Sequence, residues 1–265
     1  MKTRIISACI MLPLLLLVYF GGIPLALACL AIGLIGAHEF VKGYEELDVH
    51  ANCGLVAVCT LALYALGLAG RFGGVQVQSL YAFWLFLVVI LSLLTLFCPK
   101  HEKLEDAMVT MLSCFYIVFF SYHVFLVDGI SEYRILIWLI FITAFGTDIF
   151  AYFTGYAIGK HKLCPTISPK KTIEGAVGGA LGSVILCAIF AVALVPSLLP
   201  HCIAIGVLGG VLSQFGDLTA SIFKRKMGIK DYGKLIPGHG GIMDRFDSIL
   251  FTAPLVYYYI TFILL

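Results

Sequence analysis

The sequence predicts an all-α, polytopic integral membrane protein of about nine transmembrane helices. Three observations carry that expectation. Of 265 residues, 61% are hydrophobic and the mean hydropathy is +1.05. Only 12% are charged, about half the roughly 25% of an ordinary soluble domain, so a water-facing surface cannot be covered. The apolar residues also gather in runs of about 20, the length that crosses a ~30 Å hydrocarbon core. These runs do not alternate as barrel strands do, and an open strand in lipid leaves backbone groups unpaired, so the runs are expected to be helices.

In chain order the expected spans are residues 5–20, 23–41, 53–70, 80–97, 107–127, 134–158, 175–195, 201–223 and 248–265. The first follows Lys2 and Arg4 and looks like a signal peptide, with Ala26-Leu27-Ala28 mimicking a cleavage site. The apolar run continues past that point, so it reads as an uncleaved span. Gly21-Gly22 is the weakest break. Little is left over for a soluble domain, and residues 1–265 read as one membrane domain. Within it, residues 1–130 hold the N-terminal helices, and residues 134–265 hold the helices and two loops, 159–174 and 224–247, in which the chemistry-bearing residues gather.

With the N-terminus in the cytoplasm, nine crossings leave the C-terminus on the opposite side. Of the 17 Lys and Arg, only Arg71 and Arg134 then fall outside, which is the distribution the positive-inside rule requires. Both loops face the cytoplasm in that arrangement. Thr172 is expected to cap the helix that follows the first of them, with Glu174 in its first turn. Glycines recur four apart at Gly155/Gly159, Gly175/Gly179, Gly178/Gly182 and Gly206/Gly210, a spacing that lets helix backbones approach in lipid. Of the nine cysteines, Cys9, Cys29, Cys59, Cys114 and Cys187 lie in apolar runs, and no C-x-x-C pair occurs. They read as small packing residues.

Two acids lie where lipid should exclude them. Asp148 sits near the middle of its span, and Asp217 lies within the eighth. An intramembrane carboxylate costs at least ~2.5 kcal/mol on insertion scales, so it needs a partner or a function. Ser213, Asp217 and Ser221 are four apart on one helix face, with Lys224 three further on. That stripe suggests a lined cavity. Asp244-Arg245-Phe246-Asp247 opens the last span behind Gly238-His239-Gly240-Gly241. Glycines admit an anion close to backbone amides, carboxylates suit Mg²⁺, and the nearby cations suit polyphosphate. The ingredients point to phosphoryl or nucleotidyl transfer involving a lipid. An ion-coupled transporter using Asp148 and Asp217, or plain helix capping and topology signals, remain open on spacing alone. No GxxxxGK[ST], HExxH or GxSxG motif is present.

The stretch Ser221-Ile222-Phe223-Lys224-Arg225, then Lys230-Asp231, then Pro237-Gly238-His239-Gly240-Gly241-Ile242-Met243-Asp244-Arg245-Phe246-Asp247 closely resembles the signature of the CDP-diacylglycerol synthases, or phosphatidate cytidylyltransferases. Asp148-Ile149-Phe150-Ala151-Tyr152, Gly159-Lys160, Ser168-Pro169-Lys170-Lys171-Thr172-Ile173-Glu174-Gly175 and Ser213-Gln214-Phe215-Gly216-Asp217 also resemble that family. The likeness is strong over residues 145–250, whereas residues 1–130 match in hydropathy more than in motif. Ala220 stands where the family often has an acid.

The resemblance implies a nine-helix enzyme of the inner membrane, often a homodimer, with its active site facing the cytoplasm. Its substrates would be CTP and phosphatidic acid, its products CDP-diacylglycerol and pyrophosphate, and its cofactor Mg²⁺, with room for a second cation nearby. Membrane lipids would surround it, and no nucleic-acid partner is expected. On that likeness Asp217, Asp244 and Asp247 would be the metal ligands and, with Lys224 and Arg245, the catalytic residues. Arg225, Lys230 and His239 would steady phosphates. Lys170 and Lys171 would close over CTP or hold the lipid phosphate. Asp148, set deeper, and Ser221 join the substrate-binding residues.

Overall fold

The computed structural model describes residues 15–74, 76–98, 103–235, 238 and 240–265. Most of the expected span 5–20 lies outside the described residues, as does His239. Among the described residues the fold is all-α with one small hairpin. The helices are α1 (Gly22–Tyr44), α2 (Cys53–Gly73), α3 (Gln78–Leu94), α4 (Leu104–Gly129), α5 (Ile137–Ile158), α6 (Ile173–Leu194), α7 (Leu199–Met227), the short α8 (Met243–Phe246) and α9 (Ile249–Tyr259). Strands β1 (Lys162–Cys164) and β2 (Ser168–Thr172) pair antiparallel between α5 and α6. Among the described residues, seven helices are long and apolar enough to cross a membrane, and Ile249–Leu264 is apolar but shorter.

The chain divides into two compact units. The first comprises Met1–Gly129 and Lys226–Arg245, the second Ile130–Arg225 and Phe246–Leu265. The loop 224–247 is therefore shared between them.

In the first unit, Asn52 caps α2 by accepting the Leu55 amide at 2.9 Å. The core is aromatic: Tyr64 and Tyr122 meet edge-on with centroids 4.9 Å apart. Gly67 makes room, since a Cβ there would collide with the Tyr122 hydroxyl. At one end of the bundle Asp128 is fully buried. It accepts from Arg71 Nη1 at 2.6 Å and from the Gly22 amide at 2.8 Å, while Arg71 Nη2 donates to its carbonyl at 3.0 Å. One ion pair thus clasps the ends of α1, α2 and α4.

In the second unit, α5 and α6 cross at backbone contact. A Cβ on Gly175 would lie 2.8 Å from the Ala151 carbonyl oxygen, and one on Gly179 2.8 Å from that of Thr147. The α6–α7 seam is equally close, with Gly206 and Gly210 facing the Cα atoms of Val184 and Ala180 at 2.9 and 3.0 Å from where a Cβ would stand. The four-spaced glycines are thus packing seams, as the spacing suggests. Thr172 caps α6 as expected, its hydroxyl accepting the Gly175 amide at 3.1 Å with Glu174 in the first turn. The described cysteines are free thiols.

Candidate active site

The second unit holds a cavity of about 550 Å³ between α5, α6, α7 and the hairpin. Its polar lining is Asp148, Lys162, Lys170, Lys171, Gln214 and Asp217. Ala151, Gly155, Tyr152, Tyr156, Leu163 and Thr172 are among the rest. Each polar group is positioned by a local device. Lys171 is the residue before the Thr172 cap, so the hairpin and the first turn of α6 fix its backbone. Its ammonium pairs with the Asp217 carboxylate, both side chains about a quarter exposed. Gln214, one turn back on α7, donates to the Ala176 and Gly210 carbonyls at 3.0 and 2.9 Å. Arg225 Nε donates to the Ile167 carbonyl at 3.2 Å and ties the end of α7 to the hairpin.

Asp247 precedes the apolar stretch of α9 and is buried. Its Oδ1 accepts the Ser248 amide at 2.8 Å. Burial, then the fields of Asp217 and Asp148, push its carboxyl up from the usual carboxylate range to about 8, with Lys224 opposing. A buried carboxylate raised by neighbouring carboxylates would be relieved by a cation. Beside Asp247, the Ser248 hydroxyl is buried without a hydrogen-bond partner among the described residues. Among those residues no three or more His, Cys, Asp or Glu side chains form a group able to hold a metal. Mg²⁺ does not require one, because it takes one or two carboxylates and completes its shell with water and substrate phosphate. Asp217, Asp247 and the orphaned hydroxyl fit that chemistry.

The approach of Asp247 to α7 depends on Gly216. A Cβ there would lie 2.6 Å from the Asp247 carbonyl oxygen. Glycine immediately before an intramembrane Asp is the signal that would have marked it.

The expected serine stripe is only partly a cavity wall. Asp217 lines the cavity. Ser213 is fully buried and donates to the Ala144 carbonyl of α5 at 3.4 Å, and Ser221 is buried and not among the lining residues. The helix face is as expected, but part of it meets a neighbouring helix. Lys224 is half-buried and Lys170 exposed.

The first unit holds the other motif residues. Asp244 is buried, and its Oδ2 accepts the Tyr232 and Gly241 amides at 2.8 and 2.9 Å. Gly240 has φ +86°, a left-handed conformation that favours glycine, and a Cβ there would meet Asp244 Oδ2 at 2.6 Å. Arg245 is half-buried and Lys230 exposed. The residue missed from sequence is Glu39, near the end of α1. It is buried, with Oε1 and Oε2 accepting the Ile242 and Met243 amides at 3.1 and 2.9 Å. A lone acid closing an apolar run reads as a solvated helix end, and its partners lie over 200 residues away.

Known proteins show the same pattern along nearly the whole chain. The cytidylyltransferase family matches over residues 2–263. A phosphatidate cytidylyltransferase of Bacillus subtilis is 31% identical over 261 residues, covering 97% of each chain. That of Staphylococcus haemolyticus is 34% identical over 259 residues, covering 96% of this chain and 95% of its own. That of Thermotoga maritima is 31% identical over 268 residues, covering 97% and 95%.

Proposed function

This chain belongs to the cytidylyltransferase family, and from that premise we propose that it transfers the cytidylyl group of CTP to phosphatidate. The observation that carries the reading is the cavity in which lysines and aspartates meet among membrane-spanning helices. A polyphosphate and a lipid headgroup both need that combination.

A phosphatidate oxygen attacks the α-phosphorus of CTP. A new phosphorus–oxygen bond forms, the α–β bridging bond breaks, and pyrophosphate leaves with the electron pair. The nucleophile is already anionic at neutral pH, so no strong base is needed, and the residues act by positioning and charge neutralisation. Lys171 exchanges part of its pairing with Asp217 for a substrate phosphate. Lys170 and Lys162, on the hairpin, approach the same phosphates, as do Lys224 and Arg225 at the end of α7. Asp217 and Asp247 are the proposed Mg²⁺ ligands, and Mg²⁺ when bound neutralises charge on the transferring phosphates. Asp244, as a third proposed Mg²⁺ ligand, and Lys230, His239 and Arg245 keep their proposed roles on sequence alone, through the motif they share. Ser221 and Asp148 stay proposed substrate contacts. The diacyl tails remain in the bilayer. The excess of basic residues on one side supports an inner-membrane protein whose loops face the cytoplasm. A homodimer is proposed on family likeness and is checked by light scattering in detergent.

The test incubates purified protein with CTP labelled at the α-phosphorus, phosphatidate and Mg²⁺. Label in the lipid phase with stoichiometric pyrophosphate is the expected result. Release of CDP instead would identify a CTP-dependent kinase, and substrate flux across sealed vesicles without nucleotide turnover would identify a transporter.

A further inference from the structure

The end of α1 forms a seat for the motif loop. Glu39, Phe40 and Gly43 lie on its buried side. The Phe40 ring lies 6.0 Å from that of Tyr232, and at Gly43 a Cβ would stand 2.8 Å from Met227 Sδ. Between them the Glu39 carboxylate receives one amide on each oxygen, from Ile242 and Met243. Two glycines make room for it, since a Cβ on Gly233 or on Gly241 would collide with the carboxylate. Asp244 closes the loop from within by accepting the Tyr232 and Gly241 amides.

We propose that Glu39 is a positioning residue for nucleotide binding: its carboxylate sets the conformation of residues 232–233 and 240–243, parts of the glycine loop that holds the CTP phosphates. The proposal rests on the cytidylyltransferase reading for what the loop binds, but not for what holds the loop. A buried carboxylate accepting two amides is a charge-assisted brace, stronger than neutral hydrogen bonds. Losing one leaves a buried amide without an acceptor, which is the costly outcome. The brace comes from the N-terminal half of the chain, which shows few motif residues of its own. Its chemistry is that of a support: both oxygens are committed to backbone amides, so Glu39 acts through the loop and not on substrate.

The experiment uses full-length protein in detergent–lipid micelles. Glu39→Gln keeps one acceptor oxygen and turns an amino group toward the other amide. The expected result is a CTP KM raised about tenfold or more, a phosphatidate KM changed by less than about twofold, and faster tryptic cleavage at Lys230 and Lys234. A double-mutant cycle isolates the cause. Gly241→Ala alone drives a methyl group into the carboxylate, whereas in a Glu39→Ala background that methyl meets a vacated space and adds little. Unchanged CTP KM and unchanged cleavage in Glu39→Gln would overturn the proposal, as would Gly241→Ala and Glu39→Ala effects that simply add. If wild-type protein transfers no label to phosphatidate, the functional reading fails. The cleavage rates, and the same cycle read by cleavage, still decide whether Glu39 braces the loop.

Discussion

Gly216→Ala isolates the approach of the α9 head to α7. The new Cβ would stand 2.6 Å from the Asp247 carbonyl oxygen, 3.1 Å from Ser248 Cα and 3.0 Å from the Phe251 ring, all tighter than the ordinary 3.4–4 Å range. The phenyl can rotate, but the backbone atoms yield only if the head of α9 moves by about 0.8 Å, and close-packed interiors resist that. Overpacking of this kind costs about 1–3 kcal/mol. The strain falls beside Asp217 on one side and Asp247 on the other. A displacement near 1 Å between reacting groups lowers rates by about 10²-fold. Turnover should therefore fall roughly 10- to 100-fold, with a modest loss of thermal stability. The assay is steady-state transfer of labelled cytidylyl groups into the lipid phase, run beside thermal unfolding in the same micelles. Gly129→Ala is the control, because its Cβ would meet no atom within 4 Å. Wild-type turnover in Gly216→Ala would refute the reasoning, and so would an equal loss in Gly129→Ala.

Asp217→Asn and Asp244→Asn should each abolish Mg²⁺-dependent turnover while the protein still inserts in membranes, and near-normal activity in both would remove them from the proposed ligand set. For Lys171→Ala, the KM for one substrate should rise about tenfold, and constants unchanged for both would take the lysine out of the site. Arg71→Ala should lower stability by about 3–5 kcal/mol because it strands the buried Asp128 carboxylate. Thermal unfolding in detergent checks this, and an unchanged midpoint would show that the clasp contributes nothing.

Much of this was legible from residues whose partners lie nearby in the chain or on a regular lattice. The Thr172 cap depends on the next three residues. The glycine seams follow from helical spacing. Asp217 declared itself because an acid inside an apolar helix is expensive wherever it points. Glu39 did not, because its environment is made by amides more than 200 residues downstream. Ser213 was misread for a related reason. Helical periodicity defines a face, but whether that face meets a cavity or the Ala144 carbonyl is a tertiary fact.

The first unit is discontinuous in sequence, and this imposes an order on biosynthesis. Its closing segment, Lys226–Arg245, is made only after all of Ile130–Arg225. Glu39 leaves the ribosome 203 residues ahead of Ile242. At about 5–20 residues per second, it waits roughly 10 to 40 s for its amides. During that interval the carboxylate lacks the two amides that hold it in the folded structure. A chain released before Met243 would leave the first unit without the segment that supplies the Glu39 amides.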